Sequence, residues 1–198
     1  MSNFNKIITN VLKSEGGYAY VQGDAGGETY RGISRRHNPN WAGWRIVDAH
    51  KPLRNNETIN DTNLENLVLT FYKQNYWDKI MLDSVKADSL QEIIFDAYVN
   101  SGANGIVVLQ RSLNKCGASL SVDGQCGAKT VAAINAANPK TLFDTYKADR
   151  AEYYKTIAAR GENAKFLKGW LARLEGIDYR AMVYISTGVI VLGVASFF

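Results

Sequence analysis

Glu15, Asp24 and Thr29 share one short stretch of this 198-residue chain, Glu15-Gly-Gly-Tyr-Ala-Tyr-Val-Gln-Gly-Asp24-Ala-Gly-Gly-Glu-Thr29-Tyr-Arg-Gly-Ile33. Two carboxylates in different environments can cleave an acetal: one protonates the leaving oxygen, the other supports a water or the developing cation. Glu15 is expected in the last turn of a helix. There the negative end of the helix dipole disfavours a carboxylate and pushes its pKa upward, which suits a general acid. Asp24 follows in a Gly-rich segment that a hairpin could fold back to face Glu15, and the Thr29 hydroxyl could hold the attacking water. Spacing alone does not separate this from an ordinary exposed glutamate at a helix end.

The elements that must position these groups can be read from periodicity. Phe4, Ile7, Ile8, Val11 and Leu12 recur at helical spacing, Ser2 or Asn3 can cap the start, and Gly16-Gly17 stops the run. From Tyr18 to Ile33 the chain is rich in Gly and aromatics without a helical period, which predicts an irregular β-hairpin or a Gly-shaped loop. Leu64, Leu67, Val68, Phe71 and Tyr72 predict a second helix over 61–81, and Leu90, Ile93, Ile94, Ala97 and Tyr98 a third. Further helices are expected over 107–114 and 130–137, separated by a Gly-rich turn at 122–127. Asn138-Pro139 starts a long helix that Gly161 ends. Phe166, Leu167, Trp170, Leu171 and Leu174 continue on another. The expectation is therefore a mainly α fold, a helical bundle with one small non-helical insertion after the first helix.

Composition narrows the chemistry. Two His and two Cys leave too few nitrogen and sulfur donors for a zinc hydrolase. A cysteine peptidase is disfavoured because Cys116 and Cys126 lie far in sequence from a His partner. The two thiols allow a disulfide, but the composition favours free cysteines in a reducing compartment. Net charge is +4, from 23 Lys+Arg against 19 Asp+Glu, spread without the dense basic runs of nucleic-acid binders, so no nucleic-acid partner is expected. That excess suits an anionic polymer such as a bacterial cell wall.

The run E-G-G-Y…D-x-G-G-x-T-x-x-G-I resembles the signature of glycoside hydrolase family 108, the N-acetylmuramidases of phage lysis cassettes and of muramidase-dependent protein release. Glu15, Gly16, Gly17, Tyr18, Asp24, Gly26, Gly27, Thr29, Gly32 and Ile33 carry the match, and the aromatic segment Phe71 to Asp78 extends it. From Asp96 onward, Asp-Ala-Tyr-Val-Asn-Ser-Gly-Ala-Asn, Val122-Asp-Gly124…Gly127-Ala-Lys-Thr130 and Phe166-Leu-Lys-Gly-Trp170-Leu-Ala-Arg173 are similar to the peptidoglycan-binding domain that accompanies this family.

The resemblance implies a lysozyme-like fold and the division 1–95 for the muramidase domain and 96–176 for a helical peptidoglycan-binding domain, with 177–198 an additional apolar tail. It implies Glu15 as catalytic acid, with Asp24 and Thr29 in the positions of the aspartate and threonine of phage-type lysozymes. Tyr18, Gly27, Tyr30 and Trp77 are the candidate substrate contacts of the first part, and Asp123 and Trp170 those of the second. Trp41, Trp44, Tyr76 and Trp77 each also read as packing residues. The implied partner is peptidoglycan, with no metal or organic cofactor. A lytic transglycosylase and a non-catalytic wall-binding secretion helper are the alternatives left open.

The N-terminus Met1-Ser-Asn-Phe-Asn-Lys6 lacks the apolar run of a signal peptide, which predicts synthesis in the cytoplasm without one and action at the cell wall. Residues 181–198, AMVYISTGVIVLGVASFF, carry no charge. As a helix they would extend about 27 Å at about 1.5 Å per residue, the short limit of a membrane span. Lys165, Lys168, Arg173 and Arg180 precede the run, so the positive-inside bias would hold the body on the cytoplasmic side. A membrane segment competes here with a helix buried against the body and with an oligomer contact.

Overall fold

The apolar stripe of the first helix turns one side of α1 (Asn3–Glu15) into the core: Phe4, Ile7, Ile8, Val11 and Leu12 are all buried. The computed structural model describes residues 3–20 and 27–180, without the side chains of 13–15 and 161–162. Asp24 and the tail 181–198 lie outside the described residues.

After α1 the chain makes three short antiparallel strands, β1 (Tyr18–Ala19), β2 (Thr29–Tyr30) and β3 (Ile33–Ser34), in the order β1-β2-β3. Tyr18 is paired with Tyr30 and Ala19 with Thr29; across the next pair Thr29 faces Ser34 and Tyr30 faces Ile33. Because side chains alternate along a strand, this register puts Tyr18, Tyr30 and Ile33 on the buried face and Ala19, Thr29 and Ser34 on the other. A loop at 54–57 closes the outer edge of β1. Tyr18 N–H donates to Glu57 O at 2.8 Å and Asn56 N–H to Tyr18 O at 2.7 Å. Gly17 is required there, since a Cβ would stand 2.3 Å from Glu57 O.

The structure adds a helix that periodicity did not indicate, α2 (Gly43–Ala49), and divides the expected 61–81 helix. α3 (Thr62–Tyr72) starts at Asp61, whose carboxylate accepts from Leu64 N–H at 2.8 Å, and gives way to a π-helical turn at Lys73–Trp77 and a 3₁₀ turn at Asp78–Ile80. Met81, with φ +55°, ends the run. The wider π turn lets Tyr72 and Trp77 both reach the core while Gln74 between them faces out.

The second half is α4 (Asp88–Ser101), α5 (Ala103–Lys115), α6 (Ala128–Ala136), α7 (Pro139–Ala158) and α8 (Leu167–Glu175). α7 begins as Asn138-Pro139 predicts, the Asn138 side chain accepting from Thr141 N–H at 3.0 Å. α4 is the axis of the molecule: every residue from Ser89 to Ala97 is buried, against α1 on one side and α5 and α7 on another. Residues 95 and 96 are consecutive within this one helix.

Asp96 is charged and buried at the centre of that packing. Arg150 Nη2 lies 2.7 Å from its Oδ2, Arg173 Nε donates to its Oδ1 at 2.6 Å, and Arg150 also bonds Ile93 O and the Tyr154 hydroxyl. This network joins α4, α7 and α8. Beyond α8, Arg180 N–H donates to Ser89 Oγ at 2.7 Å and its guanidinium pairs with Glu92, so the chain is pinned back on α4 up to residue 180. Among the described residues no helix is long and apolar enough to cross a membrane.

Candidate active site

Glu15 closes α1, and β1 begins three residues later. Since Ala19 is the register partner of Thr29, the strand pairing returns the Thr29 backbone to within a few residues of the helix terminus that carries Glu15. The Glu15 side chain and Asp24 lie outside the described residues. Thr29 is half-buried on the open face of the sheet.

Behind Thr29 the opposite face is held by charge. Glu28, 9% exposed, turns inward. Its Oε1 lies 2.6 Å from Lys51 Nζ, and its other oxygen pairs with Arg35 Nε. Arg35 also grips Asp48, with Nη1 at 3.1 Å and Nη2 at 2.6 Å, and stacks over Trp44 with the guanidinium carbon 4.3 Å from the ring centroid. Asp48 and Lys51 meet at 2.8 Å. The Arg35 hydrogen bond, helped by Lys51, holds the Asp48 carboxyl below its ordinary value. Burial opposes the charged form of Lys51, but its hydrogen bonds to Asp48 and Glu28 outweigh it and raise the ammonium's pKa. Burial, with a hydrogen bond to Glu28, pushes the Tyr18 phenol up. The sheet is thus tied to α2 by ion pairs that spacing did not reveal; the available signal was the alternation Glu28-Thr29-Tyr30, which places Glu28 on the face of Tyr30.

The other sequence-derived positions divide. Tyr18 and Tyr30 are register partners on the core side of the sheet. Tyr30 is 1% exposed, its hydroxyl accepting from Ile59 N–H at 3.1 Å, so it presents no surface to a ligand. Gly27, at φ +66°, takes the left-handed turn into β2. Trp77 is fully buried, edge-on to Phe4 and Phe95, with its indole N–H on Asp83 Oδ1 at 2.7 Å. It serves the packing role that its place beside an amphipathic helix suggests. Asp123 is exposed but engaged: its Oδ1 accepts from Gln110 Nε2 at 2.8 Å and Gln125 N–H at 2.9 Å, and these bonds lower its pKa. Buried Gln110 returns the contact to Asp123 N–H and Gly124 N–H, clamping the 122–127 turn onto α5. Trp170 is half-buried between Tyr154 and the exposed Phe166. Asp123 and Trp170 lie in the second half, away in sequence from Glu15 and Thr29. Cys116 and Cys126 are free, and burial pushes the Cys126 thiol up to about 11. Among the described residues no group of His, Cys, Asp and Glu could hold a metal ion.

A helix ending at a glutamate, a small antiparallel sheet after it and a helical body around a central helix define a lysozyme-like hydrolase fold. Residues 8–102 match the family Glycosyl hydrolase 108 and residues 104–175 match the Predicted Peptidoglycan domain. The peptidoglycan domain follows the hydrolase segment in the order that the motifs imply. Among solved structures it is similar to "Structure of Brucella abortus SagA", at 26% identity and a TM-score of 0.61, over 88% of this chain and 90% of that one. No curated protein matches the sequence. The pairing of the two families makes it a glycoside hydrolase that acts on peptidoglycan, at the cell wall.

Proposed function

We propose that the chain is an N-acetylmuramidase of the lysozyme type, hydrolysing the β-1,4 bond between N-acetylmuramic acid and N-acetylglucosamine, for cell-wall lysis or muramidase-dependent protein release. The supporting observation is the register Ala19 to Thr29, which returns the Thr29 strand to the helix terminus bearing Glu15. Glu15 donates its proton to the glycosidic oxygen as the bond breaks. Asp24 supports the water or the cation on the other side, and Thr29 orients the attacking water. Tyr18 and Gly27 shape the strand pair that carries Thr29. The muramidase part, the wall-binding part and the apolar tail follow the division 1–95, 96–176 and 177–198, α4 being shared between the first two. Asp123 and Trp170 belong to the wall-binding part, where Trp170 with Phe166 offers the aromatic surface. The tail from 181 adds a membrane segment, a helix packed on the body or an oligomer contact.

Turbidity loss of purified peptidoglycan with wild type and Glu15→Gln, followed by mass spectrometry of the soluble products, tests this reading. Clearing by wild type alone, with hydrated reducing ends, is the expected result. Products lighter by one water would instead mark a lytic transglycosylase, and binding without clearing by either protein a non-catalytic wall-binding helper.

A further inference from the structure

On the hydrolase half, the segment after β3 and the outer side of α3 flank an open cavity of about 470 Å³. Its floor is aromatic. Trp41 meets Trp44 edge-on at 5.1 Å and Phe71 at 6.3 Å, and its indole N–H reaches Leu67 O at 3.4 Å. Trp41 is only half-buried, so part of this cluster faces the cavity. Its seat is built for it: a Cβ on Gly43 would come within 2.3 Å of the Trp41 ring, so only glycine leaves the indole where it stands.

The rim is polar and uncharged. Leu67, Thr70, Phe71 and Gln74, at positions i, i+3, i+4 and i+7, share one side of α3 and its π turn, while Leu64, Val68 and Tyr72 take the other side to the core. Asn40 and Gln74 present exposed amides that no partner among the described residues occupies, and His37 stands beside them with Nδ1 on Ser34 Oγ at 3.1 Å. No Asp, Glu, Lys or Arg lines the cavity.

A ligand for this lining must offer an apolar C–H face to aromatic rings and neutral donors and acceptors to amides. A β-linked N-acetyl-hexosamine does both, whereas an anionic stem peptide would find no cation. We propose that the cavity around Trp41, with the amides of Asn40 and Gln74, is an auxiliary subsite for an N-acetylglucosamine unit of the glycan strand. It lies wholly within residues 8–102 and outside the peptidoglycan domain, so the hydrolase half grips the polymer by itself. The inference rests on the muramidase reading for its ligand class.

The test titrates chitotetraose, the β-1,4 tetramer of N-acetylglucosamine, into the full chain carrying Glu15→Gln and follows the Trp41 indole N–H by NMR, assigned with Trp41→Phe. The expected result is a saturable shift of that resonance. Asn40→Ala/Gln74→Ala, which removes two exposed amides, should weaken the same titration about five- to tenfold and raise KM for polymeric peptidoglycan in the otherwise wild-type chain. A Trp41 resonance that stays still at saturation, a double variant that titrates like its parent, or a shift produced by a muramyl peptide but not by chitotetraose overturns the subsite. The two readings fail separately. Wild type that clears no peptidoglycan while Trp41 responds sinks the muramidase and leaves the sugar site standing; clearing with a silent Trp41 does the reverse.

Discussion

The carboxylate of Glu28 meets the ammonium of Lys51 at 2.6 Å on the face of the sheet opposite Thr29, the residue next to it in sequence. Strand alternation makes these neighbours point apart. The ion pair anchoring one therefore sets the height and tilt of the other.

Removing that anchor is expected to loosen the hairpin. Glu28→Ala leaves Arg35 and Lys51 with Asp48 as the one carboxylate they share. Because both cations are about a third exposed, solvent screens the loss, which should come to about 1–3 kcal/mol in urea unfolding. Glu28→Gln, which keeps the shape, should recover part of the stability and of the wall-clearing rate. A Glu28→Ala protein as stable as wild type would show that the pair carries nothing.

Thr29 and Glu15 should separate by magnitude. If Glu15 supplies the proton, Glu15→Gln lowers the clearing rate by about 100-fold or more. Thr29→Ser, which keeps the hydroxyl, should retain most of the activity, and Thr29→Ala should fall between the two. Equal losses for Thr29→Ser and Thr29→Ala would argue for packing by the methyl group instead of water orientation.

Asp96 holds together elements from both family segments. Asp96→Ala leaves Arg150, itself 2% exposed, charged and buried without its counter-ion, a change expected to cost about 3–5 kcal/mol. Unfolding followed by tryptophan fluorescence and by far-UV circular dichroism should still give one shared transition, shifted to lower urea. Two separated transitions would mean that α4 does not couple the halves.

The buried Cys126 thiol makes an alkaline prediction. Its folded-state pKa is raised from 9.0 to about 11, so the neutral form is favoured in the fold, and its contribution is complete below 9.0 and lost as pH rises towards about 11. With a thiol reagent at pH 8, Cys116, which is half-buried, should react first and Cys126 only on unfolding. Cys116→Ser should abolish the fast phase. Rapid labelling of Cys126 in the folded protein would contradict its burial.

Much of this architecture was legible from local patterns. The stripe Phe4 to Leu12 determined α1, Gly16-Gly17 its end, and Asn138-Pro139 the start of α7, because helix faces and caps depend on residues within a turn or two of each other. The ten-position motif from Glu15 to Ile33 carries the resemblance to the hydrolase family that residues 8–102 match. α2 escaped because Gly43 and its short length give no sustained period; its place is decided by Trp44 and Val47 packing in the core. The 61–81 helix is divided because its apolar spacing does not register the extra residue of a π turn, which burying both Tyr72 and Trp77 requires. Only the tertiary structure decided that Tyr30 and Trp77 are core, that Glu28 finds its partners at positions 35 and 51, and that Asp96 finds its own at 150 and 173. Ion pairs and burial depend on which distant segments the packed helices bring together, and a charge pattern along the chain carries no record of that distance.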